Sequence, residues 1–266
     1  MGRALDLTGF TVTAPGAAGT VMNPFAGDPA NIRNSLDGVP INLLGFWSKA
    51  QAVGSTQVVY PSGNDTTRNL RFENVANQPG NMFPRGIGAA QKAQDALTLT
   101  QIGSAVAGDV ELAHMLVHYD DLPGIDQELI SIEDLYARQV RPVTIQGTLT
   151  ATGAGAWSGA TAVSAFTQFL RGNTQYAWLG YKLSAVCGAI AMNGPSTGNL
   201  RVGGPGLTGP DSETVNWFTQ LAEWQGKPMI PTWNTANNAG TFFSISQDEN
   251  LAAVIFSLFL MELRNG

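Results

Sequence analysis

Leu44-Gly45-Phe46 recurs as Leu179-Gly180-Tyr181, and three further tags recur in the same order. Pro61-Ser62 returns as Pro195-Ser196, Asn69-Leu70-Arg71-Phe72 as Asn199-Leu200-Arg201-Val202, and Leu112-Ala113 as Leu251-Ala252. The offsets are 135, 134, 130 and 139 residues, nearly constant in a chain of 266. Self-similarity at one long period is the mark of a duplicated structural unit. Each copy is then about 130 residues, an ordinary domain size.

The unit itself reads as β. Short apolar runs at Ile41–Trp47, Thr56–Tyr60, Asn69–Glu73, Leu97–Ile102 and Glu111–Tyr119 are separated by turn clusters at Pro61-Ser62-Gly63-Asn64-Asp65 and Gln78-Pro79-Gly80-Asn81. That spacing predicts an all-β sandwich or barrel. Three segments break the pattern towards short helices. Ser131 with Asp134 makes a capping box ahead of Ile132, Leu135 and Tyr136. Ser158–Arg171 closes on Gly172, and Asp211–Gln225 closes on Gly226 and Pro228; both carry apolar residues at helical spacing. The expected division is an arm at 1–24 with one short strand at Phe10–Thr13, a first sandwich at 25–121, an acidic linker at 122–142, and a second sandwich at 143–266.

Aligning the last strands of the copies sets Ala113, Met115 and Val117 against Ala252, Val254 and Phe256. Strand alternation puts each trio on one face, the face that stays apolar in both copies and so points to a core. The opposite face carries His114 and His118 in the first copy, Ala253 and Ser257 in the second.

Charged residues are 13% of the chain, about half the usual share for a soluble domain, while Gly numbers 31. Such a surface is suited to facing other protein. Asp120, Asp121, Asp126, Glu128, Glu133 and Asp134 are six of the 20 acids; the other 14 balance the 14 bases. With no Lys/Arg cluster or basic tail, direct sequence-specific binding of nucleic acid is not expected. The single cysteine, Cys187, lies in an apolar run and reads as a buried thiol. Residues 1–10 lack the apolar core of a signal peptide, and Leu251–Met261 is too short for a spanning helix, so synthesis and assembly in a cytoplasm are expected.

No catalytic constellation emerges. His114 and His118 are the only histidines, and with Asp120 they offer at most part of a metal site. Interface burial is the reading preferred for them. No nucleophile elbow or phosphate loop is present, and Gly203-Gly204-Pro205-Gly206 reads as a turn. Arg71 and Arg201 read as strand arginines that pair across an interface, and Trp217 and Trp224 as packing residues on a helix. The expectation is no enzyme, no catalytic, cofactor-binding or metal site, and no cofactor.

Duplication, chain length, inserted helices and an extended arm together resemble the double jelly-roll major capsid proteins of tailless icosahedral, membrane-containing bacteriophages. The resemblance is architectural and transfers no individual residue. It implies two tandem eight-stranded jelly-roll sandwiches per chain. It also implies a homotrimer of pseudo-hexameric outline contacting neighbouring capsomers and a vertex protein, a shell over an internal lipid membrane, and localisation in the virion. A carbohydrate-binding or adhesin-type module is the alternative. A duplicated metal-binding barrel enzyme would need more histidines than two. Elemental analysis of untagged protein should find no stoichiometric zinc, and chelation should leave the thermal melt unchanged.

Overall fold

The computed structural model of the chain describes residues 2–30, 33, 41–49, 56–60, 70–73, 89–91, 98–166, 170–208, 213–248 and 252–264. The first half contains β1 (Ala4–Thr13), β2 (Thr20–Val21), β3 (Asn23–Pro24), β4 (Ile41–Lys49), β5 (Thr56–Tyr60), β6 (Leu70–Glu73), β7 (Ala89–Gln91), β8 (Thr98–Ile102) and β9 (Val110–Tyr119). The second half follows with β10 (Leu129–Ile130), α1 (Ile132–Arg138), β11 (Gln139–Thr150), β12 (Ala156–Trp157), β13 (Thr161–Ala162) and β14 (Gln175–Leu183). It continues through β15 (Ala189–Asn193), β16 (Val202–Pro205), α2 (Trp217–Gln225), β17 (Ile230–Asn234), β18 (Phe242–Gln247) and β19 (Ala253–Leu263). The fold is all-β, with antiparallel pairing in every sheet.

The first half pairs a five-stranded with a four-stranded sheet; the second pairs two five-stranded sheets, β13 joining one of them through β18. The first half orders them β3-β1-β9-β4-β7 and β2-β8-β5-β6; the second, β10-β17-β14-β19-β11 and β12-β18-β15-β16. Setting aside the short additions β3, β10 and β13, the eight remaining strands of each half follow one order. The first, eighth, third and sixth form one sheet; the second, seventh, fourth and fifth form the other. The recurring Leu-Gly-aromatic tag explains part of this. β4 slips register between Leu43 and Gly45 against β9, and β14 slips between Trp178 and Gly180 against β19. Both slips are bulges at the same glycine, and bulges bend a strand where a sheet must curl. At Gly180 a Cβ would lie 2.3 Å from the carbonyl oxygens of Thr214 and Val215, so the close pass of that segment requires glycine.

The bulges also fix which residues correspond. Leu116 faces Gly45 as Phe259 faces Gly180, and His114 faces Trp47 as Ser257 faces Lys182. Leu112 therefore matches Ile255 rather than Leu251, a shift of four residues; Val254 and Phe256 keep the predicted core face, whereas Ala252, also expected there, is exposed just ahead of β19. Ala113, Met115 and Val117 sit in the first core with Phe10, Phe46 and Leu99. Val254, Phe256, Leu258 and Leu260 sit in the second with Trp178, Tyr181, Trp233 and Phe243. β19 is central, between β14 and β11.

Several boundaries differ from expectation. Residues 1–24 are not an arm: β1 pairs with β9 along ten residue pairs, from Ala4–Tyr119 to Thr13–Val110. Its two faces are both buried, Phe10 and Val12 on the first core and Leu5 and Leu7 towards the second half, so it lacks a clear polar alternation. Residues 122–142 are not a free linker. Leu122 joins the first core, β10 pairs with β17, Leu135 of α1 joins the second core, and β11 begins at Gln139. The Ser131–Asp134 capping box does open α1. α2 covers the end of the third expected helix, after a 3-10 turn at Glu213–Asn216. Ser158–Arg171 holds β13 and a 3-10 turn at Val163–Phe166 instead, because Thr161 and Ala162 add to β18.

The four sheets form one stack. The outer face of the first half's five-stranded sheet lies on the outer face of β12-β18-β15-β16, so Leu5, Leu7, Leu44, Trp47 and Leu116 share a continuous core with the second half. Phe256 is fully buried, edge-on to Phe166 and stacked on Phe243. Phe256→Ala should cost about 3–5 kcal/mol in urea unfolding. Ser257→Ala, on the opposite face, should cost less than about 1 kcal/mol.

Candidate assembly interface

The seam between the halves gathers the polar side chains that the sequence singled out. Its centre is His114 on β9, stacked on Trp47 at a centroid distance of 5.8 Å and met edge-on by Phe25 and Trp157. Its Nε2 lies 2.8 Å from Ser246 Oγ on β18. Trp47 Nε1 donates to the Gly188 carbonyl at 2.9 Å. A Cβ at Gly188 would stand 2.6 Å from His114 Cε1, so this approach of sheet to sheet demands glycine. Large aromatic rings are good seam formers because they bury much area with few torsions to freeze.

Backbone bonds stitch the edge of β1. Leu7 N–H donates to the Arg201 carbonyl at 2.8 Å. The Gln127 amide accepts from Leu5 N–H at 2.8 Å and donates to the Leu5 and Thr197 carbonyls at 2.7 and 2.9 Å. Asp28 accepts Gly9 N–H at 2.7 Å and Trp157 Nε1 at 2.9 Å. β1 is thus an edge whose N–H groups at Leu5, Leu7 and Gly9 all have partners, as burial requires.

Ion pairs complete the contact. Lys49 of β4 pairs with Asp248, their side chains 4% and 0% exposed. Arg201 pairs with Asp28 and lies 5.1 Å above the Trp157 ring. Lys227 holds Asp120 in a fork at 2.7 and 2.8 Å. Arg33 holds Asp6 at 2.5 Å within the first half. Burial pushes the Asp6 and Asp28 carboxyls up against the pull of Arg33 and Arg201.

The sequence candidates are therefore placed as follows. His114 and His118 both lie fully buried at the seam, and burial lowers their pKa to about 3 and about 4. For His118 the Asp120 carboxylate opposes the shift, while Lys227 and Arg3 add to it. Among the described residues no three His, Cys, Asp or Glu side chains converge as metal ligands. Cys187 is buried, its thiol pushed up to about 12, which leaves it protonated and unreactive. Arg201 pairs across the seam, whereas the side chain of Arg71 lies outside the described residues. Trp217 is buried and donates to the Gly203 carbonyl, and Trp224 is half-buried against the same core. The acids of residues 120–134 act singly: Asp120 binds Lys227, Asp121 accepts from Gly2 N–H, and Asp134 caps α1. Sequence reading missed Gln127, Asp28, Lys49 and Asp248, whose partners are 19 to 199 residues away and leave no local signal.

The same outer face in the second half is open. Ile255, the counterpart of Leu112, is 46% exposed; Ser257, Phe259 and Met261 are half-buried, and Thr144, Gln146 and Thr148 of β11 are exposed beside them. At the other end of the stack, Val21 of β2 is 55% exposed next to half-buried Thr98, Thr100 and Ile102 of β8.

No family model and no curated protein matches the sequence. Weak structural likenesses exist. A chain of the atomic structure of Sulfolobus Turreted Icosahedral Virus aligns over 99% of this chain and 80% of its own, at 8% identity and TM-score 0.25. A chain from a structure of the triple jelly roll fold and turret assembly in an archaeal virus aligns over 100% and 80%, also at 8% and 0.25. PNGase F, a glycosylasparaginase from Flavobacterium meningosepticum, aligns over 97% and 96% at 12% and 0.25. A TM-score of 0.25 carries neither fold nor function from these proteins to this chain.

Two outcomes follow for the seam. His114 and His118 have folded-state pKa values below the unfolded 6.5, so the unfolded chain takes up protons first. Stability should fall as pH drops from about 6.5 towards 4, by up to about 1.4 kcal/mol per pH unit for each histidine. Proton uptake by folded Asp6 and Asp28 offsets part of the loss at the acid end. Urea unfolding against pH should show this slope, and His114→Gln with His118→Gln should flatten it. Lys49→Met leaves Asp248 buried without the lysine charge and should cost about 3–5 kcal/mol, with Lys49→Met/Asp248→Leu recovering much of that.

Proposed function

We propose that the protein is a structural, self-assembling capsid protein of an icosahedral virus, with each half a jelly roll. The single observation that carries the reading is the stacking of two halves of one strand order, the outer face of β3-β1-β9-β4-β7 on the outer face of β12-β18-β15-β16. That contact is heterologous: the two surfaces differ, so each stack ends in one free face of each kind. Heterologous contacts propagate until they close into a ring or run on as a filament. Three two-part chains closing a ring of six halves make a homotrimer of pseudo-hexameric outline, the tile of a shell.

Low charge supports the same reading, because lateral surfaces hidden in such a tile need few solvated residues. Further partners in this proposal are neighbouring capsomers, a vertex protein and an internal lipid membrane, as in bacteriophages of the resembling kind, with assembly in the host cytoplasm. The protein is not an enzyme in this reading. The shell need not neutralise the genome, which suits a chain without a basic tail.

Light scattering on purified protein should give three times the chain mass of 28.1 kDa, and negative-stain images should show hexagonal particles. Each contact should bury at least the roughly 1,600 Å² of a standard interface. A stable monomer at micromolar concentration would overturn the reading.

A further inference from the structure

Resting on that assembly reading, we propose that the open outer face of β11-β19 docks on the β2-β8 face of a second copy, repeating the seam inside the chain. The occupant follows from correspondence. Inside the chain, the face built on Leu7, His114 and Trp47 is covered by the sheet that carries Trp157 and Ser246. The second half presents Thr144, Ser257 and Lys182 at those three positions. The first half's counterpart of the covering sheet, β2-β8-β5-β6, leaves Val21 exposed beside Thr100.

The backbone makes the same point. A strand residue's side-chain face fixes which edge its N–H points to. Thr144 lies on the outer face and opposite Phe259, as Leu7 lies on the outer face and opposite Leu116. Its N–H therefore points off the edge of β11, as that of Leu7 does towards Arg201. In the first half that edge is stitched at Leu5, Leu7 and Gly9. In the second, the matching N–H groups of Thr144 and Gln146 find no partner among the described residues, and Pro142 has none to offer. An edge of this length left open invites strand or sheet docking.

The seam between copies differs from the one within the chain. Lys182 replaces Trp47, Ser257 replaces His114, and Met261 replaces His118. It lacks the aromatic cage, so the copies should part before the halves do.

The test uses Val21→Cys/Ser257→Cys protein and a short bis-maleimide; Cys187 is fully buried and contributes no reactive thiol. Within one chain the two positions lie on the outermost faces of four stacked sheets, about 30 Å apart at about 10 Å per sheet spacing. A link between them therefore reports a neighbouring copy. Denaturing gels should show two- and three-chain products for the double variant and none for either single variant. Ile255→Glu should weaken trimer formation at least tenfold while its far-UV circular dichroism matches the parent. A parent that is trimeric, with no link in the double variant or with Ile255→Glu as trimeric as itself, overturns this interface and leaves the assembly reading standing. A monomeric parent overturns both.

Discussion

Everything in this molecule depends on one sheet having two apolar faces. The five-stranded sheet of the first half packs inward on its own core and outward on the second half. β1 and β9 are therefore strands with no solvent side. A sheet in that position has to be small enough at contact points to allow approach, and supplied with partners for the backbone N–H groups along its outer edge. Gly188 allows the close approach, and Gln127 and Asp28 supply partners for the edge N–H groups of Leu5 and Gly9. Most polar residues of the seam are explained by the burial of that second face.

The seam is held in two different ways. Trp47, Leu7 and Leu116 supply area, which is non-directional and tolerant. Lys49–Asp248, Arg201–Asp28 and Lys227–Asp120 supply direction, because a buried charge with its partner displaced is far more costly than a shifted methyl group. Such pairs add little net stability but penalise any other alignment of the two sheets. The acids of residues 120–134, conspicuous in the sequence as a group, are put to separate uses: Asp120 in this kind of pair, Asp121 on the Gly2 N–H, Glu128 on Thr232 and Asp134 in the capping box of α1.

The sequence made the duplication legible because its glycine tag marks a bulge, and a bulge cannot drift without refolding two strands. It made the faces of β9 and β19 legible because the core face of each is apolar throughout while the other keeps His or Ser, whether that face is buried, as in β9, or open, as in β19. It hid β1 for the converse reason. Asp6, Thr8 and Gly9 interrupt the apolar run, and two of them answer to a neighbour outside the strand: Arg33 for Asp6, Phe25 and Asp28 around Gly9. The seam was legible only as two histidines without a role. Lys49 and Asp248 lie 199 residues apart, and no window along the chain joins them.

The placement of β1 has a kinetic cost. Its hydrogen-bonding partner β9 lies about a hundred residues later, and the carbonyl that receives Leu7 N–H belongs to Arg201. On a ribosome, the first half can close its sheets once Tyr119 has emerged, yet its outer face of Leu5, Leu7, Trp47 and Leu116 stays bare until β18 has been made. At translation speeds of about 5–20 residues per second that wait is on the order of ten seconds. During it the nascent chain presents an apolar sheet that a neighbouring nascent chain's second half would fit as well as its own. Dense translation on one message then favours chains that exchange halves, so the connection through residues 120–130, short and pinned by Gln127, acts as a tether that raises the local concentration of the correct partner.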